Sequence, residues 1–135
     1  MDIEKQTKKV MLNAISNFSK EFEVTELETQ LMIRATDNDC TPKYQVLVNN
    51  KFKKDVTFNE ILNVKLDFLG RELIVSPFIA SSLRKLRNEH NCSVEDMSIL
   101  IYKQNSDPTQ PFLYFFEGTK AIKPITFKYI FGDMN

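Results

Sequence analysis

Residues 51–62 read KFKKDVTFNEIL, and residues 120–131 read KAIKPITFKYIF. The two stretches share the pattern Lys-x-x-Lys-x-x-Thr-Phe-x-x-Ile with its spacing intact. Each begins just after a turn signal, Asn49-Asn50 or Glu117-Gly118-Thr119, and therefore predicts a returning strand. The threonine is then well placed to cap a following helix. The pattern indicates one supersecondary unit used twice.

The similarity extends upstream of these two stretches. At an offset of 68 residues, 8–33 aligns with 76–101 and 37–50 aligns with 105–118, and one added residue after that turn restores the match. Unrelated segments of the same type would also share part of this pattern, but here the order of elements agrees over nearly the whole chain. Further identical pairs are Glu21/Glu89, Ile33/Ile101, Asp39/Asp107 and Thr41/Thr109.

The repeat predicts how the chain is organised. Residues 1–70 form a first unit and residues 71–135 a second, related one, and each reads helix–strand–strand–strand–helix. The predicted fold class is α+β, with two tandem units packed with pseudo-twofold symmetry and antiparallel sheets covered by helices. Because a unit of this size buries little surface alone, a single compact domain remains the alternative.

Local signals place the helices. Apolar residues at helical spacing predict a helix over residues 3–22. Thr57 and Glu60 form a capping-box pattern that opens a second helix, which Gly70 would end. The competing interpretation takes residues 64–68 as an alternating strand. After an extended link over 72–75, Ser76-Pro77 predicts the start of the next helix.

Composition narrows the function classes. Lys plus Arg equals Asp plus Glu, at 18 each, which does not fit a polybasic nucleic-acid binder. There is no run of about 18 apolar residues, so no membrane span is predicted. Cys40 and Cys92 are predicted to be free thiols in a reducing, cytoplasmic compartment. Abundant Lys, Asn, Ile and Phe indicate an AT-rich genome, such as a low-GC bacterium or its phage, which would place the protein in the host cytoplasm or the virion.

Catalytic and metal motifs are not recognisable. His90 is the one histidine, and neither cysteine belongs to a Cys-x-x-Cys pair. Asp37, Asp39 and Thr41 resemble the start of a calcium loop, but the central glycine and the final glutamate are missing. We therefore predict no enzymatic activity, no metal and no cofactor, and we keep an unfamiliar site near Cys40 or His90 as the enzyme alternative.

The segment Phe112-Leu-Tyr-Phe-Phe116 is the strongest indication of function. Both faces of this strand are apolar, whereas a strand with one wet face should alternate. Residues 31–33 and 99–102 also fail to alternate. Either helices cover both faces of the sheet, or one face contacts a partner. We predict a small binding or assembly module, of phage or mobile-element type, that contacts a protein partner or a second copy through Phe112, Tyr114 and Phe116.

A lysine-bearing hairpin in each unit supports the alternative function. Lysines interleaved with aromatic residues on a sheet are typical of proteins that bind single-stranded nucleic acid. Lysines on edge strands also protect a sheet from aggregation, and the zero net charge favours this second explanation. The nucleic-acid alternative would use Lys51, Lys53, Lys54, Lys120 and Lys123.

Overall fold

The computed structural model describes residues 3–62, 66–107 and 109–131. Its helices and its antiparallel strands confirm the α+β class. In chain order they are α1 (Ile3–Glu21), β1 (Thr29–Ala35), β2 (Pro42–Val48), β3 (Lys51–Val56), α2 (Phe58–Leu62), α3 (Leu66–His90), β4 (Met97–Lys103), β5 (Pro111–Glu117), β6 (Lys120–Ile125) and α4 (Phe127–Phe131). One-turn 3-10 helices at Glu26–Glu28 and Val94–Asp96 precede β1 and β4.

The six strands form one antiparallel sheet in the order β3-β2-β1-β4-β5-β6. Its centre is the pairing of β1 with β4, in which Leu31 faces Ile101 and Ile33 faces Ile99. The prediction of separate sheets was therefore wrong, because each set of three strands exposes an edge that the other set covers. The predicted boundary between residues 70 and 71 lies inside α3.

The core lies on one face of this sheet. Alternate residues of the central strands, such as Leu31, Ile99 and Phe115, are at most 2% exposed and pack in one cluster with the helices. Ile15 of α1 and Leu83 of α3 belong to the same cluster and are fully buried. Burying each such side chain contributes about 1.5–3 kcal/mol, so this shared layer is the main source of stability.

Helix α1 packs on strands from both halves of the chain. It packs on β1 but also on β4 and β5, while α3 packs on β2. The ammonium group of Lys8 in α1 lies 5.4 Å from the centre of the Phe127 ring in α4. Each long helix therefore covers strands of the other half, and the two halves share one core.

Helix α3 departs from the prediction. It is continuous from Leu66 to His90 and contains Pro77, so the extended link predicted over residues 72–75 and the helix end predicted at Gly70 were wrong. Proline removes one backbone donor and clashes with the preceding turn. Local propensity does not account for the continuous helix, because Gly70, Val75 and Ser76 before the proline are weak helix formers.

The predicted helix caps on the short helices are confirmed. The backbone N–H of Glu60 donates to Thr57 Oγ1 at 3.0 Å, and the backbone N–H of Thr57 donates to Glu60 Oε1 at 3.1 Å. This is the capping box expected from the sequence. The threonine that opens α4 acts similarly, because the backbone N–H of Tyr129 donates to Thr126 Oγ1 at 3.0 Å.

The spacing between equivalent elements changes along the chain. Strands β1 and β4 begin 68 residues apart, at Thr29 and Met97, whereas β2 and β5 begin 69 apart, at Pro42 and Pro111. The extra residue thus precedes β5 and does not follow the hairpin turn as the alignment predicted. Side chains alternate along a strand. Residues of β2 and β5 that an offset of 68 aligns with each other therefore lie on opposite faces of the sheet.

Candidate functional site

The sheet has a second face, opposite the core, which we call the outer face. Cross-strand neighbours point to the same side of a sheet, and Met32 faces Leu100, which in turn faces Tyr114. Ser98 faces Phe116 in the same layer. The apolar and aromatic residues of the outer face are Met32, Leu47, Phe52, Leu100, Tyr102, Phe112, Tyr114, Phe116, Ala121 and Pro124. Its polar and charged residues are Gln30, Arg34, Lys43, Gln45, Asp55 and Ser98.

Aromatic rings concentrate on the β4–β5 part of the outer face. The ring of Tyr102 lies 5.5 Å from that of Phe112, and Tyr114 lies 5.7 Å from Phe116. These tilted contacts are favourable pair geometries. Phe112 nevertheless remains 36% exposed, and Phe52, on the edge strand β3, is 57% exposed. Burial among these side chains raises the pKa of Tyr102.

An apolar groove runs between the two halves of the outer face. It has a volume of about 340 Å³. Leu47 and Leu100 in its wall are 5% and 9% exposed, yet neither belongs to the core cluster that holds the helices. The groove is lined by Met32, Leu47, Asn50, Ser98, Leu100, Phe116, Gly118 and Thr119. This face therefore carries a second, smaller layer of packed apolar side chains.

The charged residues of the outer face lie on strands β1, β2 and β3. Arg34 donates through Nη2 to the backbone carbonyl of Glu95 at 2.9 Å. Gln45 donates to Asp55 Oδ1 at 3.0 Å, and Lys43 Nζ lies 3.5 Å from the same oxygen. Gln45 and Asp55 lie in the same row of the sheet as Met32 and Leu100. At the centre of the face, the buried Gln30 lies between Leu47 and Tyr102 and accepts a hydrogen bond from the backbone N–H of Asn50 at 3.0 Å. The β4–β5 part of the outer face carries no charged residue in these pairings.

The three residues predicted as an interface lie together. Phe112, Tyr114 and Phe116 alternate along β5 and all belong to the outer face. Tyr44 does not join them, because it faces the core, is 7% exposed and packs against Phe58 at 5.5 Å.

Sequence reasoning missed the other half of this surface. Met32, Leu47 and Leu100 line the groove beside Phe116, but they come from three different strands. Non-alternation in residues 31–33 and 99–102 was the available signal. It could not be assigned to a face, since the pairing of β1 with β4 joins residues more than 60 positions apart.

The lysines of the nucleic-acid alternative lie at the two sheet edges. Strands β3 and β6 are the outermost strands, so their lysines are separated by the width of the sheet, ~24 Å for five strand spacings. Lys51, Lys53 and Lys120 are exposed. Exposed lysines on edge strands also discourage sheet extension by another chain.

The remaining two lysines are held by glutamates of the helices. Lys54 Nζ lies 2.9 Å from a carboxylate oxygen of Glu21 and 5.1 Å from the centre of the Phe18 ring. Lys123 Nζ lies 3.5 Å from Glu89. These half-exposed pairs reduce the positive charge that each hairpin offers to a phosphate backbone.

Cys40 and His90, the two residues of the enzyme alternative, each contact another side chain. Cys40 is buried at φ 60°, and Arg87 Nη1 lies 3.7 Å from its sulfur. Arg84 donates to the backbone carbonyl of Asp39 at 2.6 Å. These arginines tie α3 to the loop between β1 and β2. The His90 ring packs instead on Phe115, 5.4 Å away.

The loop over residues 37–41, which resembles the start of a calcium site, is a turn held by hydrogen bonds between its own residues. The backbone N–H and the hydroxyl of Thr41 each donate to the Asp37 carboxylate at 3.1 Å. These bonds, with that of the Thr41 backbone largest, lower the pKa of Asp37. Within the described ranges, no three His, Cys, Asp or Glu side chains come close enough to hold a metal ion.

The two thiols should be unreactive in the folded protein. Burial raises the pKa of Cys40, and burial beside Glu117 raises the pKa of Cys92 from 9.0 to about 11. Thiolates are the reactive form. We expect labelling by a disulfide reagent at pH 8 to be slowed by ~100-fold or more relative to guanidinium-unfolded protein, because it requires opening of the structure.

The same shift predicts an alkaline loss of stability. The unfolded chain releases the Cys92 proton near pH 9.0, and the folded chain retains it to about pH 11. Its contribution is therefore complete below pH 9 and is lost as pH rises towards 11. The urea midpoint should fall over this range, and less so in Cys92→Ala.

For the labelling experiment, rapid reaction of both thiols in the folded protein at pH 8 would contradict the burial of Cys40 and Cys92.

No described helix has the length and apolar character needed to cross a membrane. Comparison with known proteins adds no family to this picture: no family model matches the chain, and no curated protein or solved structure is significantly similar to it.

Proposed function

We propose that this protein is a small non-enzymatic binding or assembly module that makes protein–protein contacts through its outer face. The observation that carries the proposal is the apolar groove beside exposed aromatic rings on the sheet face opposite the core. A solvated sheet face normally carries polar side chains. Here Phe52 and Phe112 retain large exposed fractions, and Leu47, Tyr102 and the buried amide of Gln30 lie between them. Contiguous apolar surface of this kind is typical of interaction sites.

The distribution of charge favours a protein partner over nucleic acid. Charges on the outer face lie on β1, β2 and β3, where Asp55 contacts both Lys43 and Gln45, and not on the aromatic strand β5. Two of the five candidate lysines, Lys54 and Lys123, are paired with glutamates. A single-strand platform needs a positive groove along its stacking rings. The aromatic strand β5 lies inside the sheet, next to β6 and one strand away from that edge.

We further propose that the fold arose from two related units arranged about a pseudo-twofold axis between β1 and β4. Several hydrogen bonds that recur in the two halves support this. Asn49 donates its backbone N–H to the carbonyl of Glu28 at 2.8 Å, and Gly118 donates to that of Asp96 at 2.7 Å. Register shifts also recur, at Val46/Leu47 and at Phe115/Phe116. In this arrangement, the scaffold is repeated but the aromatic cluster is not.

Light scattering after gel filtration, combined with an apolar fluorescent dye, tests the interaction surface. We expect either association or a monomer whose outer face binds the dye. A monomer that gives no dye signal would remove the basis of the proposal. A single-stranded oligonucleotide that binds at low salt and is released steeply as salt rises would support the nucleic-acid alternative instead. Turnover in a hydrolase screen that Cys40→Ala or His90→Ala abolishes would establish an enzyme.

A further inference from the structure

We infer that the occupant of the outer face is a second copy of this chain, packed sheet against sheet. This rests on the proposed function, since it names the partner of the same surface. The first argument is size. Six strands of six or seven residues make a face ~24 Å by ~23 Å. With side-chain relief, that plan area of roughly 550 Å² approaches the roughly 800 Å² that each partner contributes to a standard interface.

The second argument is that the sheet edges are protected whereas the face is not. Edge strand β3 carries Lys51 and Lys53, and edge strand β6 carries Pro124, which cannot donate to a new strand. Both edge pairings also contain a register shift. These features prevent a second copy from extending the sheet sideways. Association of copies is thus directed to the outer face.

The third argument is charge. A twofold contact brings identical surfaces together, so any net charge at its centre would oppose itself. None of the residues that line the groove is charged, and Gln30 at the centre of the face is a neutral amide. The whole chain has equal numbers of basic and acidic residues, 18 of each. Two copies therefore carry no net charge that would oppose their approach.

The fourth argument is shape. An exposed apolar sheet face can be covered by a second sheet, because stacked sheets pack about 10 Å apart with their side chains interdigitated. A second copy supplies that sheet, and Phe52 and Phe112 at opposite sides of the face supply rings to fill gaps. The result is a twofold sandwich with the helices on its two outer surfaces.

Sedimentation equilibrium of the full chain tests this geometry. We expect a concentration-dependent mass that approaches twice 15.8 kDa. Phe112→Lys/Tyr114→Lys places two cations per copy in the contact and should weaken the dimer more than about 100-fold, because buried unpaired charges are costly. The matched control is Phe78→Lys, since Phe78 on α3 is 42% exposed and lies outside the contact. It should remain dimeric.

Circular dichroism and urea unfolding establish that each variant is folded. If the double variant does not fold, Phe52→Lys replaces it in the sedimentation experiment, because Phe52 is 57% exposed on the same face. It should also weaken the dimer. Wild type that remains a monomer but binds the apolar dye would overturn the second-copy inference and leave the proposed function standing. A dimer that persists in both outer-face variants would also overturn it. A monomer that binds no dye would contradict both the proposed binding surface and the second-copy inference.

Discussion

Phe115→Ala is expected to lower the free energy of unfolding by about 3–5 kcal/mol, the usual cost of deleting a buried phenylalanine ring. Phe115 is 0% exposed in the core cluster, and its ring also supports His90. Small domains are stable by only about 5–15 kcal/mol, so this single change removes a large share of the total. Urea denaturation followed by circular dichroism measures the loss.

The neighbouring residue provides the matched control. Phe116 has the same side chain in the same strand but belongs to the outer face and is half-buried. Phe116→Ala should cost about 1 kcal/mol, because less apolar surface leaves water on folding. Both changes are best compared in the Phe52→Lys background, which weakens association and keeps the contact between the Tyr114 and Phe116 rings. Equal losses at the two positions would mean that the core has been assigned to the wrong face.

The fragments 1–70 and 71–135 are each expected to be unfolded when expressed alone. The central pairing of the sheet joins β1 of one fragment to β4 of the other. Helix α1 would also lose β4 and β5, and α3 would lose β2. A chain of about 65 residues is marginal even with a complete core. We expect a disordered circular dichroism spectrum and no cooperative urea transition from either fragment.

The intact chain under the same conditions is the control for this experiment. Cooperative unfolding of either fragment would show that the halves are independent domains. Recovery of native circular dichroism on mixing the two fragments would agree with a shared core, because each fragment would then supply the strand and the helix that the other lacks.

Several features could be predicted because they depend on nearby residues. The helix over residues 3–22 follows from apolar side chains three and four positions apart, and the structure has α1 from Ile3 to Glu21. Thr57 and Glu60 specify a cap within a single turn. Phe112, Tyr114 and Phe116 had to share a face, since side chains alternate along any strand.

Other features needed contacts between distant residues. Nothing local shows that Arg84 and Arg87 bond to the carbonyl groups of a loop 45 or more residues away. The helix start predicted at Ser76-Pro77 was wrong, because a local propensity of a few kcal/mol competes with the whole helix around it. The outer-face groove likewise depends on the register between strands of both halves.

The sequence by itself determined an α+β chain with a repeated order of elements, capped short helices and an aromatic strand with two apolar faces. Only the tertiary structure decided that β1 pairs with β4 and that α1 and α3 pack on one face of the sheet. It also decided that Phe112, Tyr114 and Phe116 lie on the other face. The physical reason is the distance along the chain over which each interaction acts. Periodicity and capping act within a few residues, whereas sheet order and facing depend on which distant surfaces bury each other.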